Sequence, residues 1–247
     1  MVAMGWEALS LWGEAAGQVE RLTGGVANDV WRVDIGGHRF VGRLGRRSEA
    51  DIEWEARLLL HLSAAGLDVP VPLPARDGRL TAGGLLVMSY VEGRPPQSPA
   101  DWAQVARTLG RVHDLTRDWP QRPGWRGSGD LLTEATGTRI DLNRMPEEAV
   151  VRCRAAWARL EGRDRSVVHG DPNARNVLIT ARGVGLIDWD EAHVDVPDLD
   201  LGALPGNPAG LDPVRLDEAK QASAAWEAAV CWKDEFAERR LAEVRPV

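Results

Sequence analysis

Lysine is almost missing from this chain: Lys220 and Lys233 are the only two among 30 basic residues. Any cationic work before residue 220 therefore falls to arginine, a planar fork of donors rather than a mobile point charge. Cysteine is nearly absent as well. Cys153 and Cys231 show no metal-type spacing, which excludes a disulfide framework and a zinc site and leaves both as reduced packing residues. No uninterrupted apolar run approaches the roughly 18 residues of a membrane span. Residues 1–12 carry Glu7 and lack the basic start and apolar core of a signal peptide. A cytoplasmic protein with no membrane partner is expected. A basic excess is missing too, since 37 acidic residues bring the net charge to −7. That balance argues against a nucleic-acid partner and suits a cationic ligand. The 247 residues suffice for one large domain or two small ones with a core that needs no staple.

What is present falls into two halves. Residues 19–44 alternate short apolar runs with glycines, and Gly36-Gly37 reads as the tight turn of a hairpin within two or three antiparallel strands. Ile52, Ala56, Leu59 and Ser63 recur at helical spacing, predicting a helix over about 49–65 that stops at Gly66. Val69-Pro70-Val71-Pro72 is extended, because a residue before proline is pushed out of the helical region. Leu80-Thr81 and Leu85 to Val91 read as a further hairpin whose second strand is apolar enough to be buried. Glu92-Gly93-Arg94-Pro95-Pro96 is a linker, so two domains are expected, 1–91 and 92–247. Beyond it, Ser98-Pro99-Ala100-Asp101 is a capped helix start, and Trp102, Val105, Ala106, Leu109 and Val112 form one apolar stripe. Residues 115–146 give no readable element, and Trp119 and Trp125 look exposed. A helix near 147–161 leads into a strand at Ser166. Strands at Val177 to Thr180 and Gly185 to Asp188 turn at Ala181-Arg182-Gly183, and helical spacing resumes from Pro213 to Leu241.

The chemistry is concentrated in His169-Gly170-Asp171-Pro172-Asn173-Ala174-Arg175-Asn176 and Ile187-Asp188-Trp189-Asp190. A carboxylate and an amide five residues apart, on a loop between two strands, can point into one cleft. A second carboxylate, seventeen residues after the first, arrives on the next strand. This spacing suits phosphoryl transfer: Asp171 accepts or orients the proton of a substrate hydroxyl, while Asn176 and Asp188 hold magnesium against nucleotide phosphates.

The same residues resemble the aminoglycoside phosphotransferase family, relatives of protein kinases that phosphorylate small molecules. The likeness extends from the glycine-bearing first hairpin through Val87-Met88-Ser89-Tyr90-Val91-Glu92-Gly93 to the catalytic string. It implies an α+β, two-lobed protein-kinase-like fold, with an N-terminal antiparallel sheet and one helix, a mainly helical C-terminal lobe, and ATP or GTP with Mg2+ bound between the lobes. Asp171 then stands at the catalytic aspartate, Asn176 and Asp188 at the metal-binding positions, and His169 as a brace of the loop. Gly24, Gly25 and Asn28 would cover the phosphates, and Ser89, Tyr90 and Val91 would offer backbone groups to the base. The family's phosphate-gripping lysine is missing, and Arg43 in Phe40-Val41-Gly42-Arg43-Leu44 is its substitute. At 100° per residue Glu55 falls inside the stripe of Ile52, Leu59 and Leu62, which makes it the expected partner of Arg43.

A protein acceptor is disfavoured. Gly170 stands where protein kinases carry an arginine, and only nine residues separate Asp188 from Asp198, too few for an activation loop. The acceptor is therefore a small-molecule hydroxyl. Asp190, Glu191, Asp195, Asp212, Asp217, Glu218, Asp234 and Glu235 crowd the C-terminal part and suggest a pocket for a polyamine, with Asn173 and Arg175 available to substrate or phosphate and Asp198 as an anchor of the loop. Three functions stay open: a kinase of aminoglycosides or other cationic antibiotics, a metabolic kinase of an amino alcohol, sugar or vitamin, and a nucleotide-binding protein without turnover.

Overall fold

The computed structural model describes residues 5–22, 28–137, 139–232 and 234–246. The chain divides after Gly93 into two compact units. In the first, β1 (Gly17–Arg21), β2 (Asp29–Ile35) and β3 (His38–Leu44) precede helix α1 (Glu49–Ala64), and β4 (Thr81–Ala82) and β5 (Leu85–Ser89) follow it. The strands form one antiparallel sheet in the order β1-β2-β3-β5-β4. Ile35 pairs with His38, so Gly36 and Gly37 are the two turn residues, at φ 60° and 80°. That left-handed pair matches the twist of the flanking strands and is nearly free of steric cost for glycine alone. The Ser48 hydroxyl caps α1 by accepting from the Asp51 N–H at 3.2 Å. Leu73, Val71 and β5 run alongside each other, with Leu73 N–H donating to Val87 O and Ser89 N–H to Val71 O, both at 2.8 Å. A 3-10 helix, Gly5–Trp12, which the sequence did not announce, supplies Ala8, Leu9 and Trp12 to a core with Val33, Leu85 and Val87.

The second unit comprises α2 (Pro99–Leu115), α3 (Glu147–Ala158), β6 (Ser166–Val168), β7 (Val177–Thr180), β8 (Gly183–Leu186), β9 (His193–Asp195), α4 (Asp198–Ala203), α5 (Pro213–Val230) and α6 (Glu235–Glu243). Ser98 and Asp101 close a full capping box on α2, and Asp212 and Asp234 cap α5 and α6. Helices α3 and α5 enclose a core in which Trp157 meets Trp226 edge-on at 6.3 Å. Two short antiparallel pairs, β6 with β9 and β7 with β8, carry the loops of interest.

Two expectations are corrected here. Gly183 begins β8, so the turn is Ala181-Arg182, and the strand ends at Leu186 with Asp188 beyond it. Trp125 is only 6% exposed, because its ring stacks on His193 at 5.4 Å while His193 stacks on Trp226 at 4.4 Å. Residues 115–146 therefore lack long elements yet are packed, with 3-10 turns at Asp130–Leu132 and Leu142–Arg144.

Candidate active site

In the first unit, β3 carries Arg43 and α1 carries Glu55, both buried. Arg43 Nη2 donates to Glu55 Oε1 at 2.6 Å. Arg47, in the turn between the two elements, donates to Glu55 Oε2 at 2.6 Å and to Asp51 Oδ1 at 3.3 Å. One carboxylate thus holds two guanidiniums, an arrangement that keeps a buried charge compensated on both oxygens. Arg47 had no local signature, since its partners lie one and two helical turns away. Gly24 and Gly25 lie outside the described residues. Asn28 packs so tightly beside Gly45 that a Cβ there would come within 2.4 Å of Asn28 Oδ1. Of the three residues expected to face a base, Ser89 has its N–H spent on Val71 O, and its hydroxyl accepts from Val71 N–H at 2.8 Å. The extended Val71 segment thus engages the N–H and hydroxyl of Ser89. Tyr90 is 42% exposed with Arg39 over its ring at 5.8 Å, and Val91 is half-buried just past the strand.

The second unit brings Asp171 and Asn176 together. Asn176 Nδ2 donates to Asp171 Oδ2 at 2.8 Å and to Asp171 O at 3.0 Å, and Asn173 Nδ2 donates to Asp171 Oδ1 at 2.7 Å. Both carboxylate oxygens are therefore fixed in direction. Asn176, spending its nitrogen on Asp171, turns away Oδ1. The β7–β8 pairing brings the next loop alongside: Ile187 N–H donates to Asn176 O at 2.9 Å, one residue before Asp188. Asp188 itself is left-handed, at φ 59° and ψ 70°, the one non-glycine residue with positive φ among the described residues. That conformation costs a non-glycine residue roughly 1–2 kcal/mol and persists only where its surroundings hold it.

The surroundings are specific. His169 Nε2 lies 2.9 Å from Ile187 O, so it must carry the proton and donate, leaving Nδ1 as the ring's acceptor. Asp200, on α4 and wholly buried, accepts from the N–H groups of His169 and Gly170 at 2.8 and 2.9 Å, and bonds His113 Nε2 at 2.9 Å. Burial opposes the Asp200 charge, but the His113 bond and the backbone donors outweigh it and hold the carboxyl below its ordinary 3.8. Asp200, not Asp198, is the anchor of the loop. Asp198 instead binds Arg163 at 2.9 Å and Arg215 at 2.8 Å, since residues two apart on α4 face different neighbours. Gly170 has φ 85°, and a Cβ on it would sit 2.4 Å from Glu191 O, so the close approach of these two loops admits only glycine.

After Asp188, a second set of contacts begins. Arg122, 1% exposed, donates through Nη1 to the carbonyls of Asp190 at 2.9 Å and Ala192 at 2.7 Å, with Trp189 O at 3.3 Å, while its guanidinium stacks over Trp125 at 4.7 Å. Gln121 grips Val194 through both its N–H and its carbonyl at 2.9 Å. Glu191 pairs with Arg139. Burial, only partly offset by Arg139, pushes its carboxyl up to about 7.

A cavity of about 640 Å3 opens beside Asp171, lined also by Arg175, Glu227, Arg239, Arg240 and Glu243. Burial raises the Glu227 carboxyl, opposed by Arg240, which it binds at 2.8 Å, and reinforced by the charge of Asp171. None of the eight acids expected to form a polyamine pocket lines this cavity. Asp212 and Asp234 are helix caps, Asp195 is buried against Ser128, and Asp217 and Glu218 pair with Arg245 and Arg163. Glu191 stays close enough to Asp171 and Asp190 for their charges to interact, while caps and ion pairs engage most of the others.

Asn176 Oδ1 and the Asp188 carboxylate are hard oxygens of the kind magnesium takes, and that ion binds through one or two protein ligands while water and phosphate supply the rest. Among the described residues no cluster of three His, Cys, Asp or Glu forms a self-contained metal cage. The residues present fit the ion.

The model of the phosphotransferase enzyme family matches residues 18–243. A homoserine kinase of Rhizobium etli is 31% identical over 177 residues, covering 63% of this chain and 53% of that protein. The viomycin phosphotransferase of Streptomyces vinaceus is 30% identical over 200 residues, covering 70% and 68%. Among solved structures, an amicoumacin kinase in complex with AMP-PNP and Ca2+ superposes with a TM-score of 0.68 at 14% identity, covering 93% of this chain and 87% of that one. The chain spans about half to two thirds of the length of the curated relatives it matches.

Proposed function

The chain belongs to the phosphotransferase enzyme family, and from that premise we propose that it transfers the γ-phosphate of ATP to the hydroxyl of a small acceptor bearing both an ammonium and a carboxylate, such as a hydroxy amino acid. The observation that carries the acceptor class is the mixed charge of the cavity beside Asp171. Asp171 and Glu227 bring negative charge suited to an ammonium, Glu227 through a carboxylate that also binds Arg240 at 2.8 Å. Arg175 and Arg239 lie on the same wall, and neither forms an ion pair among the described residues, so both suit a carboxylate. The lining sets Asp171, Glu227 and Glu243 beside Arg175, Arg239 and Arg240, a balance of signs that a zwitterion matches better than a polycation. The volume of about 640 Å3 suits a small molecule. The homoserine kinases among the relatives support the same reading.

In this reading Asp171 takes or orients the acceptor's proton, its carboxylate aimed by Asn173 and Asn176. Asn176 and Asp188 would hold Mg2+, which when bound neutralises the phosphates of ATP and charge building on the transferred group. Arg43, paired with Glu55, grips the α and β phosphates in place of a lysine. Asn28 and the backbone of Tyr90 and Val91 complete the nucleotide contacts. No helix among the described residues is long and apolar enough to cross a membrane, and the free thiols of Cys153 and Cys231 suit the reducing cytoplasm.

A panel of acceptors with purified protein tests this, with ATP and GTP in parallel: hydroxy amino acids, amino alcohols without a carboxylate, sugars and polycationic antibiotics. ATP consumption is expected to be fastest with hydroxy amino acids. Glu227→Gln should raise KM for the ammonium-bearing acceptor at least ~10-fold, the scale of one charge-assisted hydrogen bond, and leave KM for ATP unchanged. Turnover confined to the antibiotics would instead support a second reading, antibiotic modification, favoured by the 30% identity to the viomycin enzyme. Tight nucleotide binding with no turnover on any acceptor would overturn both.

A further inference from the structure

We infer that Arg122 is a positioning residue that holds Asp188 in its metal-binding conformation, although it touches neither the metal nor any substrate. The inference rests on the reading of Asp188 as a magnesium ligand.

Asp188 sits left-handed between two fixed points. On its N-terminal side, Ile187 is held through its N–H by Asn176 O and through its carbonyl by His169 Nε2. On its C-terminal side, the chain turns at once through Trp189, Asp190 and Glu191, and the carbonyls of this turn converge on one guanidinium. Arg122 Nη1 meets Trp189 O, Asp190 O and Ala192 O, all within 3.3 Å. The ring of Trp125 backs the guanidinium, and Gln121 fixes the same segment two residues later at Val194. A buried planar cation facing three carbonyls resists substitution, because losing it strands the buried acceptors of Trp189 and Ala192 and frees that of Asp190. Asp188 can keep an uncommon φ only if both flanks are immobile, and Arg122 is the side chain that immobilises the second flank. Outer partners of this kind direct a metal ligand without belonging to the ligand set.

The test measures Mn2+ binding to the ADP complex by electron paramagnetic resonance, which needs no turnover, alongside ADP binding without metal and thermal unfolding. Arg122→Met, which keeps the stem and removes the donors, should weaken Mn2+ binding at least ~10-fold while metal-free ADP binding stays at the wild-type value. Arg122→Lys, able to serve one or two of the three carbonyls, should fall between Met and wild type and serves as the reading if Arg122→Met does not fold. A folded Arg122→Met or Arg122→Lys protein with wild-type Mn2+ affinity would overturn the inference, as would equal losses of metal and metal-free nucleotide binding. Asp188→Asn separates the two claims: it should abolish tight Mn2+ binding whatever stands at 122. If it does not, the metal assignment of Asp188 falls, and the role of Arg122 with it.

Discussion

Replacing Asp171 by alanine should lower kcat by at least ~10²-fold, and by up to ~10⁴-fold, with the unfolding temperature and KM for ATP unchanged. The size follows from what the side chain does in the proposed reaction. Proton acceptance by a positioned carboxylate contributes in the transition state and little to nucleotide binding, so the loss should appear in kcat and kcat/KM together. Stability should hold because Asp171 is only half-buried, the exposed amide of Asn173 can turn to water, and the buried amide of Asn176 keeps its bond to the Asp171 backbone carbonyl. Asp171→Asn makes a sharper test. It keeps the shape but sets an amide nitrogen against one of the two donors that now converge on the carboxylate, so both charge and aim are lost. Steady-state kinetics with the best acceptor from the panel, read beside calorimetry, decides it. A variant with wild-type kcat would remove Asp171 from the mechanism.

The second large effect is expected at Asp200, which touches no substrate. Asp200→Asn should destabilise the protein by roughly 3–5 kcal/mol, the range for breaking a buried charge network by removing one partner. It should also cut kcat about 10²-fold, the cost of a misplacement near 1 Å at a reacting group. An asparagine presents one acceptor and one donor where His169 N–H, Gly170 N–H and His113 Nε2 now meet two acceptor oxygens. One backbone N–H must then lose its bond, and it belongs to the loop that carries Asp171. The pH dependence gives an independent signature. The folded carboxyl lies below its ordinary 3.8. Its stabilisation is therefore complete above that value and fades as pH falls through the lower, folded one. Denaturant melts of wild type and variant should consequently converge below about pH 4. A stability gap that stays constant to pH 2 would show that the charge of Asp200 is not what stabilises the loop.

The two assignments differ in how far they could be read without coordinates. The contact of Asp171 with Asn176, and the approach of the Asp188 loop to Asn176, are legible because a short β7–β8 hairpin sets them, and its apolar strands and tight turn are local signals. Helices α1 and α2 are legible for the same reason, α1 through its apolar stripe and α2 through Ser98 and the stripe that follows it. Arg43 and Glu55 needed one further step, the angular position of Glu55 on α1, and the 2.6 Å contact bears that step out. Asp200 was overshadowed by Asp198, because nothing in the spacing tells which of two acids on a six-residue helix turns toward the loop. Arg122 had no signal at all. Its partners lie some 70 positions away, and its own neighbourhood lacks the periodicity from which burial is inferred. The eight acids show the opposite limit: proximity along the chain does not by itself give proximity in space, and helix caps, ion pairs and burial engage most of them.

The buried pair of Arg43 and Glu55 carries one more consequence, for covalent chemistry. A lysine in that place alternates between ammonium and free amine, and the amine is a nucleophile that acylating or sulfonylating nucleotide analogues capture. A guanidinium has no neutral form at physiological pH and does not react in this way. The two lysines of the chain, Lys220 and Lys233, both lie in the second unit. With Arg43 in the phosphate-holding role proposed for it, amine-directed nucleotide reagents should find no target on β3, which has no lysine.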